Sequence, residues 1–196
     1  MLAGFSQAIA QKGLPSPWDS AIYTYAGDDQ TLVWLTKAII SRESAWDPDA
    51  TRTEPQIQDM SVGLMQILQG TAAFYESVSL VELLDPETNI RIGMAHLKSL
   101  LRQYGTLGEA ISAYNAGRPI TGNKPYVDDV LTYYIFYANN EPGTSVGLPD
   151  EEGQIVTMTG DVPSTATPTS GLGAALDTVP LLLLGVALVV LLRGQK

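Results

Sequence analysis

The sequence predicts a mainly α-helical domain, followed by a flexible linker and one C-terminal transmembrane helix. Three observations carry this: helix caps and 3.6-residue apolar periodicity recur from Ser16 to Tyr137, composition shifts after Asn140, and an uncharged apolar run ends the chain. The 196 residues are 45% hydrophobic, room for one domain with a real core plus extras. Four segments follow: an N-terminal arm (1–15), a helical domain (16–138), a Gly/Pro/Ser/Thr linker (139–170) and a membrane anchor (171–193).

Met1 to Lys12 has no charged segment leading into an apolar run, so secretory export is not expected. Ser16-Pro17 reads as a helix start, with Trp18, Ala21, Ile22 and Tyr25 on one face. The central helix is Thr31 to Ser44, capped by Asp28 or Asp29. At 100° per residue, Leu32, Ile39 and Ile40 fall within about 60° of Glu43, so a carboxylate ends an apolar stripe. Two roles fit it. A helix-end Glu reaches water or caps backbone; or apolar neighbours disfavour its charge, raise its pKa and keep a proton for a leaving oxygen.

Asp47-Pro48 breaks the helix, because a residue before proline is pushed out of the α region. A polar loop follows to Ser61, then Gly63-Leu64-Met65-Gln66, where glycine permits close backbone approach and Gln66 brings donors and acceptors. Asp85-Pro86 opens a strong helix closed by Gly105, with Gly93 in its stripe predicting a tight helix crossing. A short helix from Leu107 delivers Tyr114 and Asn115 to its end before Gly117, as cap or as cleft residues. Pro125 opens the last helix, striped with Tyr126, Val130, Tyr133, Tyr134 and Tyr137.

Chemistry is bounded by composition. Without cysteine there is no disulfide, thiol nucleophile or thiolate metal site. The lone His96 lacks partners for a metal or a triad and reads as structural, so neither metal nor cofactor is expected. With 21 acidic and 11 basic residues, net charge −10, nucleic acid is not an expected partner. Any catalysis falls to carboxylates and amides. At the C-terminus, Val179 to Leu192 spans 14 uncharged residues, about 21 Å of helix; extension back to Gly171 gives roughly 33 Å, enough for a bilayer core.

Taken together, the motifs resemble the soluble lytic transglycosylase family, peptidoglycan-cleaving relatives of goose-type lysozyme. The family's Glu-Ser stands as Glu43-Ser44, its Gly-Leu-Met-Gln as Gly63 to Gln66, its Asn-Ile-x-x-Gly as Asn89 to Gly93 and its Ala-Tyr-Asn-Ala-Gly as Ala113 to Gly117, in family order. The loop before Gly63 is longer than usual, Thr53 to Asp59 reading as an insertion. The resemblance implies a lysozyme-like domain that cleaves the MurNAc–GlcNAc β-1,4 bond of peptidoglycan glycan strands, leaving 1,6-anhydro-MurNAc. Glu43 is implied as catalytic acid and base. Gln66, Tyr114 and Asn115 are implied to bind the sugar, Met65 to line the cleft, Ser44 to orient Glu43, and Tyr126 to position the scissile unit. A lysozyme-type hydrolase and a non-catalytic wall-binding or structural virion membrane protein remain the alternatives.

Arg193 and Lys196 after the apolar run point to a cytoplasmic C-terminus and an external domain. A single-pass protein without an export signal fits a phage virion membrane, with virion membrane or capsid proteins as partners and cell entry as the role. The second expectation is a bacterial envelope anchor with the domain facing the wall.

Overall fold

The computed structural model describes residues 4–141, so the expected linker and anchor, except the first three linker residues, lie outside the described part. In chain order the elements are α1 (Gln7–Gln11), α2 (Asp19–Ala26), α3 (Gln30–Glu43), β1 (Thr51–Glu54), β2 (Asp59–Val62), β3 (Ile67–Leu68), α4 (Gln69–Ala72), α5 (Leu80–Leu84), α6 (Pro86–Gln103), α7 (Leu107–Ala116), a 3-10 turn (Thr121–Asn123) and α8 (Lys124–Asn140). No helix among the described residues is long and apolar enough to cross a membrane.

Local chemistry sets the helix starts. Asp29, not Asp28, caps α3, accepting from the Leu32 N–H at 3.0 Å. Asp85 caps α6 through the Thr88 N–H at 2.9 Å, with Pro86 at the first position as expected. Thr106 and Glu109 cap each other in a capping box at the start of α7. Ser16 behaves differently: its hydroxyl accepts from the Trp18 N–H at 3.1 Å in a turn, and α2 begins at Asp19. The serine directly before Pro17 satisfies its own turn instead of a helix.

Helix α3 is the axis of the core. Ten consecutive residues, Leu32 to Ser41, are buried on all sides, because α1, α2 and α8 surround it. Tyr133, Tyr134 and Tyr137 of α8 are fully buried, and the Trp34 and Tyr134 rings meet edge to face at 6.0 Å. The N-terminal arm is part of this core. Tyr133 Oη accepts from Ser6 N–H at 3.0 Å and Tyr137 Oη donates to Ala10 O at 3.0 Å. Buried Lys37 donates to Gly13 O at 3.0 Å and pairs with Asp19 at 2.9 Å and with Glu141. Glu141 thus seals the end of α8, and the folded unit runs past residue 138 because a buried ammonium demands its counter-charge.

The long loop after Glu43 is a β structure. β1 and β2 form an antiparallel hairpin, Arg52 opposite Ser61 and Glu54 opposite Asp59, and β3 adds to β2. The polar composition hid it: β1 is exposed for three of its four residues, so no apolar alternation marks it. Ala45 and Trp46 turn the chain into this hairpin with φ of 52° and 70°. Such left-handed residues are strained and persist where the surroundings hold them. Here Trp46 is buried, stacked on Trp18 at 6.0 Å, its Nε1 donating to Ser41 Oγ at 2.9 Å.

Asn89, fully buried at the start of α6, ties the sheet to the helices. Its Oδ1 accepts from the Met65 N–H at 2.8 Å, and its Nδ2 donates to Val62 O and Leu83 O, each at 2.9 Å. Gly63, at φ 74°, is where this is possible: a Cβ there would stand 2.4 Å from Asn89 Nδ2. Gly93 admits the Met65 side chain rather than a helix backbone, its virtual Cβ lying 2.5 Å from Met65 Sδ. Asn89→Ala strands one donor and two acceptors in a dry interior and is expected to lower stability by about 3 kcal/mol, read from denaturant midpoints at constant slope.

Candidate active site

An open cleft runs between the sheet and the ends of α3 and α7, with a volume of about 370 Å³ that includes its solvent-facing mouth. Its walls include Glu43, Arg52, Ser61, Gln66, Thr71, His96, Tyr114 and Asn115. Glu43 sits at the last turn of α3, half-buried, on the apolar stripe expected of it: Leu32, Ile39 and Ile40 are all buried. Tyr126 Oη donates to Glu43 Oε1 at 2.6 Å.

Tyr126 reaches Glu43 because the short connection from α7 is pinned. Ser112 Oγ accepts from the Ile120 N–H at 3.1 Å and Asn123 Nδ2 donates to Ser112 O at 3.0 Å. With the connection so fixed, Tyr126 falls in the first turn of α8. Arg42, paired with Asp129 at 3.2 Å, lies 5.2 Å from the Tyr126 ring centroid. Burial, and then the charge of Glu43, push the Tyr126 hydroxyl well above its ordinary pKa, so it remains a proton donor throughout the working pH range.

Tyr114 is pushed up for the same two reasons, burial first. Its hydroxyl donates to Met65 O at 2.9 Å. Gln66 stands at φ 48°, its amide NH₂ donating to Ala50 O at 2.9 Å and Gly63 O at 3.0 Å. Asn115 lines the cleft from the end of α7, and Gly117 closes that helix in the left-handed region at φ 72°.

Five of the seven expected site residues therefore meet at or beside one cleft: Glu43, Gln66, Tyr114, Asn115 and Tyr126. Two do not act as expected. Met65 is fully buried, its side chain packed on Gly93, and contributes its backbone carbonyl to Tyr114 instead of lining the cleft. Ser44 is the C-cap of α3 and its hydroxyl donates back to Ile40 O at 3.2 Å, which closes the helix rather than orienting Glu43. Gln66 keeps its cleft position, but its donors are spent on backbone, leaving the carbonyl side of the amide for a ligand.

His96, expected to be structural, and Arg52, which was not singled out, both line the cleft. The His96 ring lies between Tyr75 and Tyr114, centroids 5.9 and 5.5 Å away, with Nδ1 3.0 Å from Tyr75 Oη. Its position one turn after Gly93 on α6 was the available signal. Arg52 comes from the hairpin, which no apolar period announced.

A small, mainly helical domain that holds one carboxyl group under a short β-sheet, in a groove, has the lysozyme-like fold. The comparisons narrow it further. The model of the Transglycosylase SLT domain matches residues 17–126, more than half of the chain, and the chain belongs to that family. It is similar to the soluble lytic murein transglycosylase of Escherichia coli, 31% identical over 158 residues, covering 65% of this chain and 24% of that protein. The soluble lytic murein transglycosylase of Salmonella typhimurium is 30% identical over 131 residues, covering 51% and 20%. This chain thus spans about a quarter or less of the length of the relatives it matches. Among solved structures, the 70-kDa soluble lytic transglycosylase in complex with bulgecin A superposes with a TM-score of 0.59 at 26% identity, over 69% of this chain and 26% of that one. The lytic transglycosylase Slt of Pseudomonas aeruginosa, in an inactive mutant form, gives 0.58 at 23%, over 78% and 30%, a likeness of fold.

Burial lowers the His96 pKa from 6.5 to about 4, which sets a pH dependence. The unfolded chain takes up this proton first as pH falls, so the folded state loses stability from about pH 6.5 down to about 4, by at most roughly 3 kcal/mol. His96→Gln is expected to lack this component, seen as a shallower acid slope in unfolding free energy against pH.

Proposed function

We propose that this chain is a peptidoglycan lytic transglycosylase that cleaves the MurNAc–GlcNAc β-1,4 bond and leaves a 1,6-anhydro-MurNAc end. The observation that carries the reading is the 2.6 Å hydrogen bond from Tyr126 to Glu43 at the base of a cleft that also holds Gln66, Tyr114 and Asn115. Family membership and the 31% identity to a soluble lytic murein transglycosylase support the same chemistry.

In the first step the protonated Glu43 carboxyl gives its proton to the glycosidic oxygen as the C1–O bond breaks. The positive charge at C1 is met by the substrate's own acetamido oxygen. In the second step the Glu43 carboxylate takes the proton of the C6 hydroxyl, whose oxygen closes on C1, and the acid is regenerated with no water consumed. Tyr126 holds Oε1 in both steps, fixing the rotamer of the group that moves the proton. It also supplies a donor that strengthens as Glu43 becomes anionic. Tyr114 and Asn115 bound the space where the acetamido group lies.

The setting we propose is cell-wall opening during phage entry, the domain being carried on a virion membrane by the apolar segment 171–193. The apolar run Val179 to Leu192 and the flanking Arg193 and Lys196 support it. The protein is expected in washed, purified virions; recovery solely from membranes of uninfected host cells removes this setting.

Glu43→Gln is expected to keep the fold and lose essentially all cleavage of purified peptidoglycan. Tyr126→Phe is expected to lower kcat by roughly 10- to 100-fold, with a smaller change in KM. Mass spectrometry of the released muropeptides tests the reaction type: anhydro ends support transglycosylation, and reducing ends would replace it with hydrolysis.

A further inference from the structure

Among the charged groups on the cleft wall, two face each other in character: Glu43, which the proposed reaction uses, and Arg52, which it does not. Arg52 lies on β1 and Ser61 opposite it on β2, both on the cleft side of the hairpin. Glu54, two residues on and so on the same face, accepts from Arg52 Nε at 2.7 Å and from Ser61 Oγ at 3.5 Å. The Glu54 side chain is 12% exposed and that of Arg52 55%, so the carboxylate forms a fixed base and the guanidinium is the presented end.

This geometry has a chemical consequence. A guanidinium carries five N–H donors in a planar fork; Glu54 engages the one on Nε, and Arg52 lines the cleft. His96, lowered to about 4 by burial, is uncharged at neutral pH. Arg52 is therefore the positive charge on the cleft wall among the described residues, in a chain of net charge −10 that otherwise repels anionic ligands. The muramyl residue of the proposed substrate differs from N-acetylglucosamine by a lactyl ether that ends in a carboxylate or continues into a stem peptide bearing carboxylates. A glycan of N-acetylglucosamine alone offers no anion.

We infer that Arg52, held on the hairpin by Glu54, which Ser61 Oγ also reaches, is a carboxylate-reading residue that makes the cleft select muramyl-containing strands over unsubstituted N-acetylglucosamine strands. This rests on the function proposed above and names how its substrate is chosen. The 53–59 segment begins just after Arg52 and supplies Glu54, so the insertion provides the carboxylate that holds the reading residue. Glu54 sets the strength: by holding Nε it orders the side chain before the ligand arrives, which lessens the entropy lost on binding.

The test uses the whole chain carrying Glu43→Gln, so that ligands are bound and not turned over. Affinities are measured by calorimetry for chitotetraose, for the GlcNAc–MurNAc tetrasaccharide with free lactyl carboxylates, and for the same tetrasaccharide bearing stem peptides. The expected result is a preference for the carboxylate ligands of about tenfold or more, the range of a charge-assisted hydrogen bond. Adding Arg52→Gln is expected to bring the ratio near one, Arg52→Lys to restore part of it, and added salt to reduce it. A preference shown by the free lactyl form assigns the lactyl carboxylate; one shown only by the peptide form assigns the stem peptide. No preference in the Arg52 parent, or a ratio that survives Arg52→Gln with an unchanged melting temperature, overturns the inference. Selective binding without cleavage of peptidoglycan by the unmutated chain would sink the proposed reaction and leave Arg52 standing.

Discussion

The hydrogen-bonding capacity of one buried amide, Asn89, determines where everything else in the cleft can be. It satisfies a donor of the Gly63–Gln66 turn, the end of β2 and the end of α5 at once. In a dry interior each of those groups would cost free energy unpaired, so the turn is locked to α6 and cannot slide. Gln66 then takes a left-handed backbone, and Met65 presents its carbonyl to Tyr114 while its side chain fills the notch at Gly93. One polar side chain thus converts a chemically unremarkable turn into the floor of a binding groove.

A second constraint holds α3, and with it Glu43. Lys37 is buried and requires anions around it, which draws Asp19 from α2 and Glu141 from the end of α8 onto the same point. Removing either carboxylate would leave an ammonium without sufficient compensation in low dielectric. Ser41, one turn further along, joins Tyr137 at 2.7 Å and Trp46 at 2.9 Å. The left-handed pair Ala45-Trp46 is held by that network, so the chain leaves Glu43 in one direction only, over the cleft. Rigidity below the carboxyl group and a reversal just above it are what allow a single acid to face the cleft with fixed geometry.

The electrostatics of the cleft divide by depth. At the floor, burial keeps the protons on Tyr114 and Tyr126 and keeps His96 neutral, so the groups around Glu43 are hydrogen-bond donors and acceptors without charge of their own. At the rim, Arg52 pairs with Glu54 at 2.7 Å on the hairpin. In the proposed reaction, proton transfer belongs to the low-dielectric floor, and the inferred recognition of a charged substituent to the rim.

The longer helices α2, α3, α6, α7 and α8 were legible in the chain because their signals are local; the short α1, α4 and α5 were not. Asp85-Pro86, Pro125 and Gly117 act through the backbone of their own turn, and the apolar stripe ending in Glu43 needs only a period of 3.6 residues. Ordered motifs likewise announced a cleft containing Glu43, Gln66, Tyr114, Asn115 and Tyr126. Tertiary structure alone decided the rest. Met65 turned inward because a glycine 28 residues later left a space of its shape, and Ser44 closed its own helix by donating back to Ile40 O. The β-hairpin was invisible because its pairing joins polar residues across a turn, where no hydrophobic alternation records it. Sequence determines what each segment does to itself; which side chains share the groove depends on contacts between segments, and those are settled only when the whole core closes.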